Sequence, residues 1–294
     1  MSSPADLLRA HYTVGFPNSF FDFWDFASRL AERGIQLDDS PLGIKLGRAF
    51  DAFEPGLDRD SFDPVRESRY PLDPPEFFTM LHGDTDGLHW GYYLDDPEDP
   101  DFLVAAYYHG DAYEIWPAGR NLFEAVRAHL EQAHRDALEY VEYDPEHEDV
   151  YEERLDQLEM IRSLLTSYEG GSRTEEGTDY LAKYIVTRDM TAPTRDGMGI
   201  VVPSDTYRAP QGSLRLEEGS SRPSAEEIGS YLTEGWGAMR AGYPGTALKV
   251  AKDLWVFSEH FEDTSKLCDE AYAALERPFL RRMLTLARES RSVS

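Results

Sequence analysis

The chain has 294 residues, of which 41% are hydrophobic and 13% aromatic, a composition that supports a folded core and excludes wholesale disorder. Its 56 acidic residues outnumber its 29 basic residues, which gives a formal net charge of -27. This excess of negative charge argues against direct nucleic-acid binding, because phosphate groups require a basic surface.

A single cysteine and a polar N-terminus indicate an intracellular protein. Cys268 cannot form an internal disulfide, and no second cysteine is present to complete a metal or redox motif. The first residues lack the basic and apolar regions of a secretory signal, and no window of about 18 apolar residues occurs. We therefore expect a reducing compartment, cytoplasmic or, in a eukaryote, nuclear, and no association with a membrane.

The first third of the sequence predicts a helix followed by a β-meander. Apolar residues at helical spacing predict a helix that has Ser19 as its N-cap and stops at Gly34. The proline- and aspartate-rich segment 54–73 predicts an irregular loop. Turn residues then separate four predicted strands of an antiparallel sheet, at 76–81, 88–94, 102–108 and 112–116.

Two helices are predicted after Gly119. Apolar residues that recur about every 3.6 positions place the first helix, Leu122 to Val141, against the sheet. Carboxylates crowd residues 139–159, and we interpret them as the solvated face of the second helix.

The last third of the sequence predicts helices only. A glycine-rich break at 169–177 and a loop at 204–223 precede Ser224, which begins a helix in a capping box with Glu227. Two further helices follow. We therefore predict an α+β fold, with helices around an antiparallel β-meander in an N-terminal domain, 1–170, and a largely α-helical C-terminal domain, 178–294.

Common local catalytic signatures, such as Gly-x-Gly-x-x-Gly, Gly-x-Ser-x-Gly and His-Glu-x-x-His, are absent from the sequence. His129 and His134 are five residues apart and fall on different helix faces, so we predict no metal site. An enzyme whose site is assembled from distant carboxylates and histidines is a hypothesis that the sequence leaves open.

Several short motifs stand in order along the chain. They are Phe23-Trp24-Asp25-Phe26, Leu42-Gly-Ile-Lys-Leu-Gly-Arg-Ala-Phe-Asp51, Asp73-Pro-Pro-Glu-Phe-Phe-Thr79, Leu88-His-Trp-Gly-Tyr-Tyr93, Asn121-Leu-Phe-Glu-Ala-Val126, Gly199-Ile-Val-Val-Pro203, Tyr207-Arg208, Lys252-Asp-Leu-Trp255, Ser258-Glu-His-Phe261 and Ala271-Tyr272. Together they resemble the histone PARylation factor family, the accessory factors of poly(ADP-ribose) polymerases.

The resemblance implies a fold and a partner-binding surface. In the family, an N-terminal domain similar to SMI1/KNR4-like modules precedes a helical domain that docks onto the catalytic domain of the polymerase. A Tyr-Arg pair helps to make that contact, and it stands here as Tyr207 and Arg208. An arginine fork on an exposed loop can bind a carboxylate with two hydrogen bonds, and a tyrosine adds rigid contact area.

The resemblance also implies that one functional group is missing here. In the family, a carboxylate before a turn acts as general base toward a serine hydroxyl that attacks NAD bound by the polymerase. The corresponding turn here is Tyr243-Pro-Gly245, and Arg240 stands where the carboxylate is expected. Glu234 is the nearest acidic residue upstream, and it is an alternative base only if the alignment is shifted. We therefore expect no catalytic residue, no metal and no cofactor of its own, and hence an accessory factor rather than an enzyme.

Two binding hypotheses result. The first is an accessory factor that binds an ADP-ribosyltransferase through Tyr207 and Arg208 and acts on basic, histone-like substrates, as in the DNA damage response. The alternative is an SMI1/KNR4-like immunity or protein-binding module whose acidic surface neutralises a basic partner or toxin.

Overall fold

Two helices open the chain in the computed structural model, which describes residues 3–96, 100–109, 114–168, 179–182, 186–212, 223–257 and 260–292. Helix α1 (Pro4–Tyr12) begins at a capping box formed by Ser3 and Asp6. Helix α2 (Asn18–Glu32) has Pro17 at its N-cap position, with no side-chain cap, so the prediction of Ser19 as the cap is wrong. The predicted stop is confirmed, because Gly34 adopts a φ of 82° just beyond the helix.

An antiparallel sheet follows, and its strands are adjacent in chain order. The strands are β1 (Lys45–Leu46), β2 (Phe77–His82), β3 (Leu88–Tyr93), β4 (Leu103–Tyr108) and β5 (Trp116–Gly119). The predicted meander is confirmed. The strand predicted at 112–116 is wrong in position, because the last strand begins only at Trp116, and residues 110–113 lie outside the described part of the chain.

The connection between β1 and β2 contains more structure than the predicted loop. A 3-10 helix (Arg48–Phe53) follows β1 after Gly47. Within the segment 54–73 that was predicted as an irregular loop lies the short helix α3 (Pro64–Ser68), which is capped by the Asp63 side chain. The Ser68 hydroxyl accepts a hydrogen bond from the Arg48 backbone N–H at 3.1 Å. These contacts fold the connection back onto the sheet edge.

The two predicted helices are present as α4 (Leu122–Tyr143) and α5 (Glu148–Tyr168), and they pack against each other. Helix α4 is capped by the side chain of Asn121 and buries its apolar side. Irregular chain follows through the described residues of 179–212, with an isolated β-bridge between Ala192 and Ile200. This region carries the predicted binding loop.

Four helices complete the chain: α6 (Ala225–Arg240), α7 (Pro244–Leu254), α8 (Phe261–Ala274) and α9 (Pro278–Ser292). The predicted capping box of Ser224 and Glu227 is present at the start of α6. These helices pack against the N-terminal region. For example, the rings of Phe78 and Phe279 stack with centroids 5.7 Å apart. The predicted α+β class is therefore confirmed, whereas the SMI1/KNR4-like resemblance and the boundary between 170 and 178 stay predictions.

Candidate partner-binding site

Tyr207 and Arg208 lie on an irregular segment that packs across α6 and α7. A 3-10 turn, Ser204–Thr206, precedes them. The Pro203 carbonyl closes this turn by accepting hydrogen bonds from the Thr206 N–H at 3.0 Å and from its hydroxyl at 2.6 Å. The turn places Tyr207 in an extended conformation, with the chain directed along the start of α7.

The backbone of Arg208 is fixed by a residue in the first turn of α7. The Arg208 N–H lies 2.8 Å from the hydroxyl oxygen of Thr246, and that oxygen lies 2.7 Å from the Arg208 carbonyl oxygen. A Cβ at the adjacent Gly245 would lie only 2.7 Å from the side chain of Val202 and 3.0 Å from the Thr206 carbonyl oxygen. A glycine at this position therefore lets the segment lie directly on the helix.

The far end of the segment is held by Glu234 of α6. Its carboxylate accepts backbone N–H groups from Gln211 and from Gly212, the second at 2.9 Å. The one acidic residue that the sequence offered as an alternative base is thus part of the framework that positions the loop. Anchors on two helices hold the backbone between them in one conformation.

The Arg208 side chain is exposed, in contrast to its fixed backbone. Its guanidinium lies 4.1 Å from the centroid of the Tyr243 ring, which orients the fork by a cation–π contact. Within the described part of the chain, no carboxylate lies within 4.0 Å of this guanidinium. The fork is therefore oriented and able to bind a carboxylate from another molecule with two hydrogen bonds.

Tyr207 is half-buried and packs against the apolar core, so the pair combines a contact surface with a cation. Burial, together with the nearby negative charge of Asp253, raises the pKa of Tyr207 and keeps its phenol neutral. Asp253 is itself held by the Arg195 backbone N–H at 2.8 Å, the Tyr231 hydroxyl at 2.7 Å and the Lys249 ammonium at 2.5 Å. This carboxylate is fully engaged inside the protein and does not face the loop surface as a free base.

Arg240, which stands at the position of the expected carboxylate, is exposed at the last position of α6. The turn that follows has Gly242 at a φ of 83°, and the Tyr243 N–H donates to the Ala238 carbonyl at 2.9 Å. The structure thus brings the two features noted in the sequence together, because Tyr243 of this turn contacts Arg208.

Among the described residues, no group of three or more His, Cys, Asp or Glu side chains is arranged to hold a metal ion. None of the helices within the described ranges has the length and apolar character needed to cross a membrane. Cys268 is buried, and burial raises the pKa of its thiol far above the ordinary range.

A buried charge cluster joins the two halves of the chain, and sequence reasoning did not find it. The Lys252 ammonium lies 3.5 Å from the Glu76 carboxylate and 3.6 Å from that of Asp196, and it donates to the Tyr93 hydroxyl. Burial alone would lower the pKa of Lys252, but the carboxylates of Asp196 and Glu76 raise it. The only signal was that Lys252 and Glu76 belong to two of the sequence motifs, and these motifs meet in space.

A second buried network surrounds Asp73, from the same motif as Glu76. Its carboxylate accepts from the Tyr70 N–H at 3.0 Å, the Thr79 hydroxyl at 2.9 Å and the Tyr107 hydroxyl at 2.5 Å, and it lies 3.0 Å from Nε2 of His89. Burial would raise the pKa of Asp73, but His89 and its other partners lower it to about 2. The carboxylate is therefore ionised and structural.

The fold and the loop together define an α+β protein with a firmly anchored, exposed Tyr-Arg segment. The chain is also similar in sequence to known proteins. The family described as histone PARylation factor 1 matches residues 4–212, a range that includes Tyr207 and Arg208 and ends before α6. Since this match covers more than two thirds of the chain, the protein belongs to the histone PARylation factor 1 family.

Individual relatives match shorter segments. A histone PARylation factor 1 from Danio rerio is 33% identical over 119 residues, which cover 39% of this chain and 34% of the relative. The Bos taurus protein of the same name is 29% identical over 136 residues, 43% of this chain and 39% of the relative. A putative histone PARylation factor 1-like protein from Homo sapiens is 30% identical over 128 residues, 41% of this chain and 36% of the relative. The aligned part of the chain thus spans between a third and two fifths of the length of each relative.

Proposed function

We propose that this protein is an accessory factor of protein ADP-ribosylation that binds an ADP-ribosyltransferase of the poly(ADP-ribose) polymerase kind through Tyr207 and Arg208. The observation that carries the proposal is an exposed guanidinium, without a carboxylate partner among the described residues, on a loop anchored at both ends. The family match includes these two residues and supports the assignment of the partner class.

The binding chemistry follows from the geometry. A carboxylate of the transferase, on a side chain or at a chain terminus, accepts two hydrogen bonds from the Arg208 fork. The ring of Tyr207 covers the contact and excludes water from it. Because Thr246 and Glu234 fix the backbone beforehand, little conformational entropy is lost on binding.

The proposal assigns no chemistry to this protein alone. NAD is bound by the transferase, and the acceptors are basic, histone-like proteins, which would place the protein in the nucleus of a eukaryote. Arg240 occupies the position where the family resemblance calls for a carboxylate, so we propose that binding occurs without a contribution of a general base.

An affinity pull-down from host extract tests the binding surface. The baits are wild type, Arg208→Glu, Arg208→Lys and a charge-reversal control, Arg135→Glu, on the exposed side of α4. We expect an ADP-ribosyltransferase to be identified by mass spectrometry with wild type and the control, to be lost with Arg208→Glu and to be weakened with Arg208→Lys, because lysine keeps the charge but not the fork. Equal recovery by wild type and Arg208→Glu would show that the surface is wrong.

A second experiment tests the absence of a general base. The recovered transferase is incubated with NAD and a histone-like acceptor, with and without this protein, and the modified residue types are mapped by mass spectrometry. We expect the fraction of serine-linked product to be unchanged. A rise in serine modification that Glu234→Gln abolishes, while the transferase is still recovered in the pull-down with that variant, would assign the base to Glu234, because Glu234 also anchors the loop.

A further inference from the structure

A groove separates α2 from the edge of the sheet, far along the chain from Tyr207 and Arg208. Its volume is about 640 Å³, within the range of roughly 300–1,000 Å³ that is typical of ligand sites. We call it the α2–β1 groove, and its apolar lining includes Trp24, Ala27, Ala31, Ile44, Leu46 and Phe50.

The wall on the helix side is a second face of α2, distinct from the face that builds the core. The core face carries Phe20, Phe23, Phe26 and Leu30, all fully buried. The groove face carries Trp24, Ala27, Ser28 and Ala31, spaced three and four residues apart and only partly buried. Because three of these four side chains are small, a peptide backbone can approach the helix closely, with the Trp24 ring as an apolar contact at one end.

The opposite wall is the outer edge of β1. This strand pairs with β2 on one side, and no described strand covers its other side. The Gly47 N–H donates to the Met80 carbonyl on β2, whereas the Ile44 N–H points the other way and donates to the Leu37 carbonyl at 3.0 Å. Since backbone groups alternate along a strand, the peptide groups of Leu46 also point outward, on the groove side. Because the Leu37 carbonyl already accepts the outward N–H of Ile44, the available part of this edge is the peptide groups of Leu46, and an added strand can pair there.

The charges around the groove favour a positively charged ligand. Four carboxylates line it, those of Glu32, Asp38, Asp51 and Glu54, against the single ammonium of Lys45. Asp51 is already paired with Arg48, which leaves the other three to set the local potential. The whole chain adds a net charge of -27, so a basic segment is attracted and an acidic one is repelled.

We propose that the α2–β1 groove binds an extended segment of a partner protein that alternates lysine or arginine with apolar residues. The segment adds as a strand to β1, places an apolar side chain against Trp24 and Ala31, and directs its cations toward Glu32 and Asp38. This site does not depend on Tyr207 and Arg208, which bind a carboxylate of the transferase, so it is a separate contact and its occupant is a basic protein.

Fluorescence polarisation with defined peptides tests the proposal. The probe is a labelled seven-residue peptide, Lys-Val-Lys-Val-Lys-Val-Lys with both ends blocked, and the charge control is the same peptide with glutamate in place of lysine. Two further probes carry N-methyl groups on all valine amides or on all lysine amides, because only one set of amides faces β1 in an added strand. Four proteins are compared. They are wild type, the groove-filling variant Ala31→Trp, the double variant Glu32→Lys with Asp38→Lys, and the control Ala273→Trp on the exposed side of α8.

The expected result is binding of the lysine peptide and not of the glutamate peptide, with a loss of about tenfold or more in affinity for Ala31→Trp and for the double variant. One N-methylated probe should lose binding while the other keeps it. Equal loss or equal retention of binding by the two N-methylated probes would overturn strand addition without requiring any protein variant. Binding of both charge types, or concentration-dependent self-association of wild type that Ala31→Trp removes, would overturn the assignment of a basic partner.

Discussion

Two cationic side chains of this protein occupy opposite environments. Lys252 is 2% exposed and lies between the carboxylates of Glu76 and Asp196, whereas Arg208 is exposed with a fixed backbone and an aromatic ring as its neighbour. A buried charge requires partners inside the protein because leaving water is costly. An exposed, oriented cation has no such requirement and remains able to bind another molecule. The comparison separates residues that hold the fold from residues that are available for function.

Removal of the buried cation should have the largest effect. Lys252→Met leaves the carboxylates of Glu76 and Asp196 buried without their ammonium, and we expect a loss of about 3–5 kcal/mol in the free energy of unfolding. Urea denaturation followed by circular dichroism measures it. Lys266→Met, which removes an exposed ion pair, is the matched control and should leave the midpoint unchanged. A Lys252→Met midpoint equal to that of wild type would mean that the cluster does not stabilise the fold.

Neutralisation of the buried carboxylate of Asp73 should have the next largest effect on the free energy of unfolding. Asp73→Asn turns an amide NH₂ toward one of the donors that now face the carboxylate, and we expect a cost of about 3 kcal/mol at pH 7. The folded pKa of about 2 is below the ordinary value of 3.8, so this contribution is complete above pH 4 and is lost as the pH falls toward 2. Unfolding curves of wild type and Asp73→Asn should therefore converge at low pH. A constant difference from pH 7 to pH 2 would contradict the assignment.

A histidine near the same network should give an effect that is small at neutral pH and grows as the pH falls. Burial, together with the neighbouring His89, lowers the pKa of His82 to about 4, below its ordinary value of 6.5. The unfolded chain then binds the proton more readily, and stability falls between pH 6.5 and 4 by at most about 1.4 kcal/mol per pH unit. His82→Gln should flatten this slope. Unfolding free energies of wild type and His82→Gln, measured every half pH unit from 6.5 to 4, would detect the difference in slope. Parallel curves for the two proteins would contradict this role of His82.

The exposed cation should contribute least to stability. Arg208→Ala removes a surface guanidinium and its contact with Tyr243, and we expect a change within about 0.5 kcal/mol. Thermal unfolding measures this change, and the pull-down measures the loss of the transferase. A variant that loses both stability and binding would place Arg208 with the residues that hold the fold.

Local patterns predicted most of the regular structure but not the contacts between distant segments. The α+β class, the meander and the capping box at Ser224 follow from spacing and turn residues. Strand β1 has only two residues, too few for an alternating pattern, and Pro17 sets the start of α2 one residue before the expected cap. The last strand was predicted in the wrong position, because Trp116 is the first residue of β5 and not the last residue of the strand.

The candidate site was predictable in part. The sequence indicated Tyr207, Arg208 and the turn at Tyr243 as separate features, and the structure places the last two in contact. The roles of Thr246 and Glu234 depend on backbone hydrogen bonds across 38 and 22 residues, which no local pattern encodes. The same is true of the α2–β1 groove, because its two walls are 13 or more residues apart in the chain.

The ion pair between Glu76 and Lys252 has a consequence for synthesis on the ribosome. The two residues are 176 positions apart, so at about 5–20 residues per second the sheet waits roughly 10–35 s for its ammonium partner. During that interval the Glu76 carboxylate lacks the ammonium that lies beside it in the folded chain. The nascent N-terminal half therefore completes its folding only after the C-terminal helices emerge, and translational pauses between residues 77 and 252 would lengthen its exposure to aggregation and proteolysis.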